Sequence, residues 1–233
     1  MTDHEHDLRS VREATDRLLT AAAKLDNAAL AEESRLPGWS RGHVLAHLAR
    51  NADALVEVFE GRPMYESATS RESDIARDAG RPLLEQLEDV RNSADRWQTV
   101  ASRPQDWTRT VELRNGVTDT AARVPFRRLI EVELHHVDLN IGYELSDLPD
   151  AFAEREIAFL ADRWSGRPEV PPVTLWLGYD GTGPIWHTGG TEGSPVTLAG
   201  TRDELLGWLA GRGDQGAHLT LIEGGRLPEL PPL

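Results

Sequence analysis

The chain has 233 residues and a formal net charge of −14, from 25 Lys and Arg against 39 Asp and Glu. Its apolar share of 39% is enough to build a buried core, and a field of this sign repels phosphate backbones and anionic lipid surfaces, so neither nucleic acid nor membrane is an expected partner. Cysteine is absent, which excludes disulfides, thiolate metal sites and an internal sulfur nucleophile and leaves His with Asp or Glu for metal binding.

The opening MTDHEHDLR is acidic and has no apolar stretch of the kind a signal peptide needs. No window reaches the roughly 18 uninterrupted apolar residues of a membrane span, so a cytoplasmic protein is expected. Leu8, Val11, Leu18, Ala22 and Leu25 then recur at helical spacing and predict one helix over residues 7–30. Leu36-Pro37-Gly38-Trp39 is a turn, and Ser40 stands as the N-cap of a second helix over 41–59, closed by Gly61-Arg62-Pro63. A third helical stretch follows a loop and is split by Gly80 and Pro82, its longer part covering 82–100. Residues 101–124, with Trp107 and Asn115-Gly116, read as turns. Pro125 opens a fourth long helix ending near Gly142. The four long helices predict a bundle.

A fifth helix is expected over 150–164. Composition changes at 166–172, which are rich in Gly and Pro, and the domain boundary is placed there: residues 1–165 as a helical bundle, 166–233 as a small α+β domain. Alternation predicts strands at 173–177, 184–188, 195–199 and 218–222. Thr201-Arg-Asp-Glu204 is a capping box opening a short helix that Gly211 stops.

The segment Glu131-Val-Glu-Leu-His135-His136-Val-Asp138 carries the sharpest chemistry, because residues four apart on a helix share a face and can chelate one ion. Glu131 and His135 have that spacing, and Asp138 lies one turn on, where it can hold the imidazole or complete the coordination. Taken alone, the pair equally describes a solvated helix face. On the second helix, His43 and His47 are also four apart; His47 lies between Val44 and Leu48 and points inward, while His43 sits in the first turn. A single inward histidine is commonly a hydrogen-bonded core residue. Together His47, Glu131 and His135 make a His2Glu set, the arrangement in which catalytic zinc keeps a fourth position open.

The sequence resembles the mycothiol-dependent maleylpyruvate isomerases, whose N-terminal domain is a metal-binding four-helix bundle of the DinB type. The resemblance spans nearly the whole chain. It rests on Leu36-Pro-Gly-Trp-Ser-Arg-Gly-His-Val-Leu-Ala-His47-Leu-Ala-Arg-Asn51, on Pro63-Met64-Tyr65 with Arg71 and Ile75, on the segment from Glu131 to Asp138, and on Ala210-Gly-Arg212-Gly213. It implies that His47, Glu131 and His135 bind zinc or another divalent metal, and that Arg71 and Arg212 face the active site, Arg212 from the C-terminal domain. It also implies a thiol cofactor, mycothiol, and a dicarboxylate substrate from gentisate degradation. Converting cis maleylpyruvate to fumarylpyruvate requires temporary loss of the double bond, which reversible thiol addition provides. A metal-bound thiol is acidified toward the thiolate, and guanidinium groups pair with carboxylates through two parallel hydrogen bonds. Two alternatives remain open on the sequence: a mycothiol S-transferase acting on another electrophile, and a metal-binding module without turnover, whose ion would have a fourth protein ligand such as Asp138 or His43.

Overall fold

The computed structural model describes residues 3–231. The chain divides between Tyr143 and Glu144 into two compact units.

In the first unit, α1 (His4–Ala22), α3 (Arg41–Phe59), α5 (Leu83–Ala101) and α6 (Val124–Asp138) form the expected four-helix bundle, with α1 packed on α5 and α6, and α3 on the same two helices. Each buries an apolar stripe: Leu8, Val11, Leu18 and Leu19 on α1, Val44, Leu45, Leu48 and Leu55 on α3, Leu87, Val90 and Trp97 on α5. A fully buried Leu or Trp contributes about 1.5–3 kcal/mol. The predicted second helix is α3 itself, and Ser40 caps it, its hydroxyl accepting from the His43 backbone N–H while the His43 ring accepts from Ser40 N at 3.2 Å.

Two local expectations are corrected. The helix predicted over 7–30 breaks after Ala22, and α2 (Asn27–Ala31) restarts because Asp26 accepts from Ala29 N at 2.7 Å. The segment read as turns holds a small antiparallel hairpin, β1 (Thr110–Glu112) with β2 (Thr118–Thr120). Its tight connection places Asn115 and Gly116 at φ 60° and 71°, a conformation that Gly adopts freely and Asn more readily than most residues. The third helical stretch is split as expected, and its first part, α4 (Ala68–Ala79), starts behind Ser67, whose hydroxyl accepts from Ser70 N at 3.0 Å.

The end of α4 is fastened by Asp78, which is buried and lies 2.7 Å from Arg81, 2.8 Å from Arg77 and 3.4 Å from Arg50 of α3. Burial alone would raise its pKa; the surrounding guanidinium groups outweigh that and lower it. Arg50 reaches on to Asp89 of α5 at 2.7 Å. This network joins three helices.

The second unit contains α7 (Asp150–Trp164), α8 (Arg202–Ala210) and a sheet of β3 (Val173–Leu177), β4 (Ile185–Thr188), β5 (Val196–Gly200) and β6 (Thr220–Glu223) in the order β4-β3-β5-β6. The β3–β5 pair is parallel and the other two are antiparallel. The Thr201 capping box starts α8, and Gly211 at φ 64° stops it. The break in the chain thus falls before α7, not at 166–172. The reason is packing: α7 buries Phe152, Ile157, Leu160 and Trp164 and rests on α8 and β4, with Thr188 Oγ1 donating to Ala161 O at 2.7 Å. Among the described residues, no helix is long and apolar enough to cross a membrane.

Gly42 marks the close approach of α3 to α4, because a Cβ there would run into the Ala79 carbonyl oxygen and crowd the Gln86 amide. Helix propensity alone favours Ala over Gly by about 1 kcal/mol. We expect Gly42→Ala to lower the melting temperature instead, overpacking costing about 1–3 kcal/mol; a thermal melt gives the sign directly.

Candidate metal centre

Antiparallel packing of α3 on α6 builds the site: Arg41 meets Leu139 and Asn140, His47 meets Glu131, and Asn51 meets Arg128. The apolar stripe of α3 turns His47 inward, as its place between Val44 and Leu48 predicts, and leaves it 4% exposed. Its Nε2 lies 2.9 Å from Glu131 Oε2. On α6 the four-residue spacing brings His135 Nε2 to 3.2 Å from the same oxygen. Trp39, in the turn before α3, closes one side with its ring 5.5 Å from the His47 ring.

The outer nitrogens of both rings are also held. His135 Nδ1 lies 2.8 Å from Asp138 Oδ2, and His47 Nδ1 accepts from Arg71 Nη2 at 3.1 Å. Arg71 has only donors, so the His47 proton sits on Nε2 and is shared with Glu131. His135 faces a carboxylate oxygen on each side, and imidazolium satisfies both.

Protonation follows these contacts. Burial disfavours charge on His47 and outweighs its bond to Glu131, lowering its pKa to about 4. Burial pushes His135 the same way, but its hydrogen bonds to Asp138 and Glu131 win and raise it. For Glu131, burial raises the pKa, yet hydrogen bonds from His135 and His47 hold it well below the usual carboxylate range.

The donor set suits one cation. The three ligand atoms of His47, Glu131 and His135 lie within 4.8 Å of one another, all from nitrogen or oxygen donors of the kind zinc accepts. Asp138 bonds the far nitrogen of His135, the usual support of a metal-bound imidazole. His43 is engaged at the α3 cap with its Nδ1 2.8 Å from Ser40 Oγ. Neither joins the three ligand atoms.

Residues 11–140 match the family model of the mycothiol maleylpyruvate isomerase N-terminal domain. The chain belongs to this family. No curated protein sequence matches it. A crystal structure of the mycothiol-dependent maleylpyruvate isomerase shares its fold, with TM-score 0.85 and 24% identity over 99% of this chain and 97% of that one. A crystal structure of a His-to-Ala mutant of the mycothiol-dependent maleylpyruvate isomerase matches with TM-score 0.86 and 25% identity over the same shares.

In this mycothiol maleylpyruvate isomerase family member, His47, Glu131, His135 and Arg71 come together in the first unit. Arg212 belongs to the second, in the turn after Gly211, and its Nη1 donates to Ala210 O at 3.0 Å. Two further residues lie near the cluster, Tyr65 from the Pro63-Met64-Tyr65 motif and Arg128. Tyr65 lies with its ring 5.8 Å from the Arg71 guanidinium carbon, and burial raises its pKa. Arg128 sits one turn before Glu131 on α6, where helical spacing could have flagged it.

A metal bound here would have to displace protons, because protonated His135 offers it no lone pair. Because His47 is already neutral near pH 7, the competing proton is that of His135, so affinity rises with pH through its raised titration. Asp138→Asn removes the carboxylate that raises it. We expect zinc affinity to fall about 10–100-fold at alkaline pH, with a smaller loss as pH decreases, measured by chelator competition.

Proposed function

We propose that this chain is an isomerase that converts maleylpyruvate to fumarylpyruvate with mycothiol at a zinc ion held by His47, Glu131 and His135. The observation that carries the reading is a His2Glu cluster with no fourth ligand from His43 or Asp138, found in a chain of this family. A closed structural ion would call for that fourth ligand. The structural neighbours' named activity supports the same reaction.

A metal held by His47, Glu131 and His135 would acidify a bound thiol, whose reversible addition to the cis double bond would leave a single bond free to rotate before the thiol departs. The chain's own residues prepare the place. Glu131 stays ionised at neutral pH and His47 stays neutral, so neither has a net proton to lose, and His47 frees its Nε2 lone pair by moving its one proton to Nδ1. A histidine that gives Nε2 to a cation keeps its proton on Nδ1 and no longer accepts from Arg71. The Arg71 guanidinium then has free donors beside the metal for a substrate carboxylate, bound through two parallel hydrogen bonds. Tyr65, against Arg71, limits where that side chain turns. Arg212 is assigned the second carboxylate or the developing enolate oxygen on the strength of the family pattern, where a fixed cation stabilises charge as it forms. On this reading the enzyme works in gentisate degradation in the cytoplasm.

The reaction is followed by loss of maleylpyruvate absorbance in zinc-loaded protein with and without mycothiol. Turnover is expected only with the thiol. His47→Ala should lose both metal and activity, whereas Arg212→Ala should keep the metal and lose about 10²–10³ in kcat. No isomerisation, combined with mycothiol conjugation to a bimane electrophile, would show an S-transferase instead.

A further inference from the structure

Arg128 is fully buried on α6, and burial lowers its pKa only to about 10, so it remains a cation at neutral pH. Enclosing a charge is costly unless it is paired. Among the described residues, however, no carboxylate lies within ion-pair distance of it. Its Nη1 donates to Leu48 O at 3.0 Å and to Asn51 Oδ1 at 2.7 Å, while Nε and Nη2 are buried without a hydrogen-bond partner. The negative groups acting on it through space include Glu131 and Asp53.

Both acceptors lie on α3 immediately beyond His47. On the other side of the ligand layer the relation is reversed. Arg41 of α3 donates from Nε to Leu139 O at 2.9 Å and from Nη2 to Asn140 O at 3.0 Å, at the end of α6. The ligands of the two helices are therefore bracketed by two guanidinium struts of opposite direction. Apolar contacts between α3 and α6 are non-directional, and a slide of one residue along a helix is 1.5 Å. A productive site tolerates about 0.5 Å. Planar guanidinium groups bonded to fixed oxygens resist that slide.

We propose that Arg128, with Arg41, is a positioning residue that locks the axial register of α3 against α6 and so holds His47 to the Glu131 and His135 pair. This rests on the metal-binding reading above. Its test measures zinc affinity of the full chain by chelator competition and the visible spectrum of the cobalt-substituted protein, which reports coordination geometry, for wild type, Arg128→Met, Arg128→Lys, Asn51→Ala and Arg41→Met. Arg128→Met is expected to bind zinc about 10–100-fold more weakly with an altered cobalt spectrum, Arg128→Lys to recover part of the loss, and Asn51→Ala and Arg41→Met to lose affinity in the same direction. Unchanged affinity and spectrum in the folded variants, with only the melting temperature lowered, would make these residues ordinary core struts and overturn the inference. Where Arg128→Met does not fold, Asn51→Ala decides: wild-type affinity there overturns it. A wild-type chain that binds no zinc overturns the metal reading itself, a result distinct from equal binding by wild type and variants.

Discussion

A single carboxylate oxygen of Glu131, shared by imidazoles from two helices, sets the terms for the rest of the bundle. His47 reaches it at 2.9 Å from α3 and His135 at 3.2 Å from α6 itself. Such a cluster keeps its geometry where its remaining polar atoms are held by fixed partners. The apolar stripe of α3 buries His47 to 4% exposure, while Glu131 keeps about a third of its side chain open. Asp138, Arg71 and Ser40 hold the outer nitrogens of His135, His47 and His43, which fixes the direction each ring can face.

Charge is arranged against the overall balance. The chain has a net charge of −14, yet several arginines lie at the bundle's internal seams. Arg50, Arg77 and Arg81 surround buried Asp78 and fasten the end of α4. That leaves the opening turn of α4, which carries Arg71, beside His47. Ion pairs on open surfaces contribute little, but a buried acid surrounded by guanidinium groups resists separation because each partner left alone would be an unpaired charge. The network is thus one means by which a helix remote in sequence is held next to the cluster.

The second unit shows how composition can mislead about boundaries. Residues 166–172 look like a linker because Gly and Pro dominate. They are instead packed turns: Gly166 N donates to Gly189 O and Gly190 N to Val170 O, both at 2.8 Å, and a side chain at Gly189 would strike the Pro171 carbonyl oxygen. The same residue types that make a linker flexible allow backbones to approach closely in a compact unit. Helix α7 was recognisable from its periodicity, but which partner its apolar stripe meets was not.

Local signals were reliable where one element contains them. The Ser40 and Thr201 caps, the Gly211 stop, the inward direction of His47, the Glu131 and His135 spacing and the place of Asp138 one turn beyond His135 all follow from helical periodicity and capping chemistry, which act over three or four residues. The hairpin was hidden for a different reason: strands of three residues on either side of Asn115-Gly116 carry too little alternation to register. What only the tertiary structure decided are the meetings between distant segments: His47 with Glu131, 84 residues apart, Arg128 with Asn51, 77 apart, and Arg71 with His47, 24 apart. A sequence determines which face of a helix is apolar and which side chains share it. Which helix that face meets, and in what axial register, depends on packing the whole bundle at once, because side chains from every neighbour must fill the same interior.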